Sequence, residues 1–192
     1  AEREASYATQ LRRETEDRFQ TLTVRHRLEA SPSSNAVGVA EFLAANPDFD
    51  LRTSRIATYL ELNPGAMPSG QDPEVTEASL KRVQRVYSLT PRHDRYDVAR
   101  ALLDAGIESA AQVVHMGRAV FVERFAPALE GTHTEMVGAE LAQAVYAAAR
   151  QKHGFAQALL AEYAASMNTI SIDAIRANTM EGDEGPGASG LA

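Results

Sequence analysis

The sequence predicts an all-α fold, an irregular array of antiparallel helical hairpins with no β-sheet. Three observations carry this reading. Apolar residues recur three and four apart in nearly every segment between turn signals, which is the period of a helix face. Ala, Leu and Val dominate the 44% hydrophobic content, while aromatics make up 6% and Trp is absent, a balance unlike that of an aromatic-rich β-sandwich. Helix caps and breakers stand at the ends of the periodic segments.

Residues 1–30 are predicted to form one charged amphipathic helix. Arg3, Arg12, Arg13, Arg18, Arg25 and Arg27 balance Glu2, Glu4, Glu14, Glu16, Asp17 and Glu29, and Tyr7, Leu11, Phe19 and Leu22 supply a narrow apolar stripe. Residues 31–72 read as short helices and a Pro/Gly loop. Ser31-Pro32-Ser33-Ser34-Asn35 breaks the first helix, and a Ser or Asn in it caps a short helix through Val37, Val39, Phe42 and Leu43. Asn46-Pro47-Asp48 ends that helix. Asp48 or Asp50 caps the next, which carries Leu51, Ile56, Tyr59 and Leu60 as far as Asn63-Pro64-Gly65 and the loop from Ala66 to Gln71.

Residues 73–178 form the main helical domain. Asp72 at an N-cap and Pro73 at the first helical position open a helix with Leu80, Val83, Val86 and Tyr87 inward. After Thr90-Pro91 a helix runs from Asp94 to Ala105 with Val98, Leu102 and Leu103 inward. Gly106 follows as its left-handed terminator, and Ile107 packs back on the helix it ends. Ser109 with Gln112 matches a capping box, so a new helix with Val113, Val114 and Met116 closes a tight hairpin. Gly117 interrupts it, and Val120, Phe121, Val122 and Phe125 continue a helical face to Pro127 and Gly131. Thr132 with Glu135 reads as a second capping box, opening the longest periodic stretch: Met136, Val137, Leu141, Val145 and Tyr146, then Phe155, Leu159, Leu160, Tyr163 and Met167. Gly154 is placed to kink or split this stretch, and a short amphipathic piece follows from Ser171 to Ala177. Residues 179–192 are expected to be a flexible, Gly-rich acidic tail.

Composition excludes several functional classes. With Cys 0 there is no disulfide framework, thiolate zinc site, iron–sulfur cluster or cysteine nucleophile. The formal charge of −7 disfavours a general nucleic-acid or anionic-membrane binder. No apolar run approaches the ~18 residues that span a bilayer. The charged start Ala1-Glu2-Arg3-Glu4, without an initiating Met, has no signal-peptide character and leads us to expect a segment of a longer chain.

Local chemistry is sparse. His26, His93, His115, His133 and His153 never fall four apart, HExxH is absent, and no metal or other cofactor is expected. His115, within an apolar helix, reads as a hydrogen-bonded structural residue, while His93, His133 and His153 sit near helix ends where exposure is expected. GxSxG, P-loop and GxGxxG motifs are absent, and Glu123, Glu135, Glu140 and Glu162 read as solvated helix surface rather than an acid/base pair. The run from Leu102 to Ala110 has the outline of a helix-hairpin-helix DNA module, with Lys81, Arg82, Arg85, Arg92, Arg95 and Arg100 nearby. Glu108, however, stands where a second glycine would be needed to approach phosphate, so the turn reads as a packing device.

The run Leu80-Lys81-Arg82-Val83-Gln84-Arg85-Val86-Tyr87-Ser88-Leu89-Thr90-Pro91 is followed by Ala101-Leu102-Leu103-Asp104-Ala105-Gly106-Ile107-Glu108-Ser109-Ala110. Val113-Val114-His115-Met116-Gly117-Arg118 and Phe121 come next, and Asn46-Pro47-Asp48-Phe49-Asp50 lies upstream. This order of short motifs, over about residues 36–168, resembles the A components of Tc insecticidal toxin complexes and related virulence-plasmid A proteins. The resemblance implies the amino-terminal helical shell of a very large subunit, which assembles as a pentamer around a translocation channel for a toxic enzyme. It implies as partners the rest of the A-subunit chain, further copies of it, and the toxin B and C components, at a secreted or bacterial cell-surface location. No catalytic residue carries over. Gly106 and Ser109 match the family's helix-turn-helix junction as structural turn positions, and neither nucleic-acid binding nor direct membrane insertion by this segment is implied. The expected function is thus a non-enzymatic scaffold. The alternative is a helical protein–protein interaction (adaptor) module unrelated to toxin delivery, and third stands an enzyme with a convergent cluster of perturbed titratable groups.

Overall fold

The computed structural model describes the backbone of residues 2–133 and 135–180, and the side chains of residues 6–133 and 135–167. Nine α-helices, one short 3-10 turn and no strand occur among the described residues, so the fold is all-α. The chain divides into two compact units, Ala1–Lys152 and His153–Ala192.

The amino-terminal segment is two helices rather than one: α1 (Glu2–Arg18) and α2 (Gln20–Ala30), separated at Phe19, where φ −119° and ψ 52° leave the helical region. The break changes which face is buried. Gln20, Val24 and Leu28, each four apart, turn inward, whereas the expected stripe of Tyr7, Leu11, Phe19 and Leu22 is exposed. A stripe read across the break assumed a continuous helical phase that the chain does not keep.

Ser33 accepts the Asn35 N–H at 3.3 Å and caps the 3-10 turn Ser34–Ala36. Helix α3 (Val39–Ala45) then buries Val39, Phe42 and Leu43, leaving Val37 outside it and exposed. Asn46 ends α3 by donating from Nδ2 to the carbonyls of Phe42 and Ala66, each at 2.8 Å. The Asp50 carboxylate caps a turn, not a helix: it accepts from the N–H groups of Arg52 (2.7 Å) and Thr53 (3.2 Å), and α4 (Ile56–Leu62) begins later, behind Arg55, with no side-chain cap. Phe42, Phe49 and Tyr59 meet edge to face with centroids 5.0–6.1 Å apart.

Helix α5 (Pro73–Tyr87) starts as its sequence dictates, with the Asp72 carboxylate accepting from Glu74 N–H (2.9 Å) and Val75 N–H (3.4 Å), and it buries Leu80, Val83, Val86 and Tyr87. Helix α6 (Arg95–Asp104) buries Val98, Leu102 and Leu103. It ends in a Schellman arrangement: Gly106 (φ 81°) donates to Leu103 O at 3.0 Å and Ile107 donates to Leu102 O at 2.9 Å, with the Ile107 side chain fully buried.

Helix α7 (Ala110–Met116) follows, then α8 (Arg118–Leu129), which buries Phe121, Phe125 and Leu129 while Val120 stays exposed. Pro127 lies inside α8 rather than ending it. So close to the carboxyl end it forfeits only the bond to the Glu123 carbonyl. Helix α9 (Gly138–Met180) runs unbroken past Gly154 and through Ser171 to Ala177. Within the first unit it buries Leu141, Ala142, Val145 and Ala149, and Tyr146 lies 6.2 Å from Phe121, which in turn stacks on Phe125 at 4.8 Å. The expected tail at 179–192 falls, from residue 181 onward, outside the described residues.

Candidate functional site

The turn at Gly106 and Ser109 is the one place singled out by both residue pattern and resemblance. The Ser109 hydroxyl accepts the Gln112 N–H at 3.2 Å. The reciprocal half of the box is displaced by one residue, because Gln112 Oε1 accepts from Glu108 N–H (2.9 Å) rather than from Ser109, while Gln112 Nε2 donates to Gly106 O (2.9 Å). All of these groups satisfy backbone; none is directed at a ligand.

The basic residues around this hairpin are consumed by neighbours. Arg82 Nε pairs with the Glu108 carboxylate at 2.9 Å, and Arg85 donates to the Glu108 carbonyl at 3.1 Å. Lys81 pairs with Glu77, Arg92 with Asp17 at 3.8 Å and Arg100 with Asp104 at 2.7 Å, while Arg95 lies over the Tyr87 ring at 5.9 Å. Glu108, the residue that weakened the DNA-module reading, is the anchor of two of the arginines that had favoured it.

The densest charge cluster joins α1 and α2 to the α5–α6 turn. Asp94 (φ 44°) has a side chain only 2% exposed, approached by Arg12 at 3.8 Å and Arg13 at 4.0 Å. Arg13 also pairs with Glu135 at 3.0 Å, and Arg27 bridges Glu16 (3.2 Å) and Asp97 (3.5 Å). His93 (φ 65°) places Nδ1 2.7 Å from Asp17 Oδ2, but the contact is not aligned as a hydrogen bond. Ser6 and Thr9 border the adjoining groove. The ion pairs of the cluster clamp the charge-dense amino terminus to the fold.

His133 corrects an expectation: placed near a helix end and expected at the surface, it is buried, while His115 within α7 is exposed. His133 Nδ1 accepts from the N–H groups of Glu135 (3.1 Å) and Met136 (3.2 Å), which assigns the ring proton to Nε2 and makes it the donor to Arg92 O at 3.3 Å. Thr132 does not cap α9 but donates back to Leu129 O at 2.7 Å. The Glu130 carboxylate supplies the acceptor instead, taking the Gly138 N–H at 2.7 Å. Sequence reasoning missed His133, Glu130 and Asp94 because their partners lie in other segments or at unfamiliar cap spacings.

Glu123, Glu135, Glu140 and Glu162 are all exposed, and no group of three metal-ligating side chains converges among the described residues. Three titration shifts favour the ordinary neutral-pH form of their groups. Burial raises the Tyr87 phenol, partly offset by Arg95. Desolvation, then a hydrogen bond to Asp48, raises Tyr59. Hydrogen bonds to Asp104 and Tyr96 raise Arg100. Raised tyrosines stay protonated and a raised arginine stays cationic, so none of the three is poised to exchange a proton near neutrality. No helix among the described residues is long and apolar enough to cross a membrane. No family model, no curated protein and no solved structure matches the chain.

Proposed function

We propose that the chain is a non-enzymatic helical scaffold completed by neighbouring protein, and that it serves as a shell segment of a Tc-like toxin A subunit. One observation carries the scaffold reading. Phe155, Leu159, Tyr163 and Met167 recur four apart along α9 with Leu160 beside them, and these five side chains are 52–71% exposed. Glu162 is the only ionised residue between Phe155 and Met167. A helix that presents so many large apolar groups to water carries the surface of an interface, since burying each contributes about 1.5–3 kcal/mol. The toxin assignment adds the order of motifs from Asn46 to Phe121, and the all-α fold agrees with it.

Negative-stain electron microscopy of the protein at its native length tests the assignment. A hollow oligomeric shell around a central shaft is the expected result. A compact monomer or dimer would overturn the toxin reading in favour of an adaptor, whose exposed α9 face would then bind a hydrophobic dye. No dye binding, with no oligomer, would remove the scaffold reading as well.

A further inference from the structure

We infer that the shallow groove between the start of α8 and the first third of α9 is a docking surface for an acidic helical segment of a protein partner. The groove measures about 620 Å³ and is lined by Arg118, Gln143, Ala144, Tyr146, Ala147 and Arg150, among others, with no carboxylate. That is unusual in a chain whose 26 acidic residues outnumber its 19 basic ones. The arginines of the amino-terminal clamp and the α5–α7 hairpin are partnered by acidic groups, backbone or an aromatic face. Arg118 instead donates to the neutral Gln143 Oε1 at 2.8 Å, and Arg150 has no carboxylate in ion-pair reach among the described residues.

The geometry selects the occupant. The hydrogen bond to Gln143 holds the Arg118 guanidinium in place and leaves its other donors free, a preorganised fork for a carboxylate. Gln143, Ala147 and Arg150 share one face of α9, and Ala144 and Ala147, one turn apart, form a floor without bulk. Helix backbones approach to about 8–10 Å over such small residues, so a partner helix can lie in the groove with Glu or Asp on successive turns reaching the arginines. A nucleic-acid backbone fits less well, because its continuous charge meets the repulsion of the whole −7 chain, whereas a few carboxylates on one helix face meet mainly the local cations.

The test uses the full chain and a fluorescein-labelled, end-capped Ala-rich peptide of about 16 residues, long enough for partial helicity, with Glu at every fourth position. We expect saturable binding that weakens as salt is raised and that falls by about tenfold or more in Arg118→Gln/Arg150→Gln. Both sites are exposed, so helix content by circular dichroism should be unchanged, and Arg150→Gln alone provides a milder variant should the double one lose structure. Absence of saturable binding, equal binding by the variants, or equal binding of a peptide with Gln in place of Glu would overturn the proposal. Stronger retention of inorganic phosphate or of a short single-stranded DNA in parallel titrations would also overturn it. The shell reading is untouched by any of these outcomes, since it is decided by assembly shape.

Discussion

Between α6 and α7 the caps that shape the turn come from its own immediate neighbours, with Gly106 and Ile107 bonding back to Leu103 and Leu102, Ser109 capping Gln112, and Gln112 answering to Glu108 and Gly106, while Arg82 and Arg85 of α5 join from outside at Glu108. Between α8 and α9 the same problem is solved at longer reach. The first N–H of α9 goes to Glu130, eight residues back, and His133 holds two N–H groups of its own loop while reaching across to the Arg92 carbonyl. The first junction is a local motif that any helical hairpin could carry. The second exists only once α8, α9 and the α5–α6 turn are packed together, so substitutions in the two should differ in what they disturb as well as in how much.

The largest effect is expected where the local motif meets the core. Ile107 is fully buried and donates the Schellman bond, so Ile107→Ala removes its packing while leaving the backbone bond available, and should cost about 2–5 kcal/mol by denaturant unfolding. A loss under 1 kcal/mol would mean that the turn, not the side chain, sets the hairpin. Gly138→Ala probes the long-range junction. A Cβ at this position would overlap the Ala126 carbonyl oxygen and press on Glu130 Oε2 and the Glu130 amide, so α8 and α9 must separate, at a cost of about 1–3 kcal/mol. Hydrogen-exchange protection should fall around residues 126–141 and stay unchanged at 102–112. Uniform loss across both would show that the junctions are one cooperative unit.

His133 sharpens the contrast further. Replacing it with Ala leaves the Glu135 and Met136 N–H groups without their acceptor and should cost about 1–3 kcal/mol. His133→Asn should recover part of this, since an Asn side-chain oxygen accepts from backbone N–H groups two and three residues on but cannot reach Arg92. Thermal unfolding of the pair distinguishes the roles: equal losses would assign the stabilisation to the Arg92 contact, and full recovery by Asn would assign it to the local cap.

The same contrast explains what could be read from the sequence. The Asp72-Pro73 start, the Gly106–Ile107 stop and the Ser109 cap are interactions among residues a few positions apart, and their chemistry is visible in order along the chain. The break at Phe19 has no Gly, Pro or polar cap of its own, so it moved the buried face to Val24 and Leu28 without a local sign. Asp94 meets Arg12 and Arg13 across some eighty residues, and nothing in its flanking sequence distinguishes it from a solvated N-cap. Periodicity likewise identifies a face but not its cover. Leu141 and Val145 are fully buried while Phe155 and Leu159, equally periodic, are exposed, and that difference is the observation on which the scaffold proposal depends. For the groove at Arg118 and Arg150, the sequence names two arginines among many; only packing reveals that these two face no carboxylate.

The smallest effect should come from Ser109→Ala. Its hydroxyl accepts one N–H at 3.2 Å, and capping losses of this type are about 1 kcal/mol. Gln112 continues to tie Glu108 and Gly106 together in the variant, so part of the cap survives and the loss should fall at or below that value. Ser109→Ala/Gln112→Ala then removes both halves. If the two residues act as one cap, the double variant should lose more than the sum of the singles, because each single leaves the other half to hold the turn. Simple additivity would instead mean that the Ser109 hydroxyl and the Gln112 amide stabilise the start of α7 independently, and that the displaced box is two separate hydrogen-bonding devices sharing one turn.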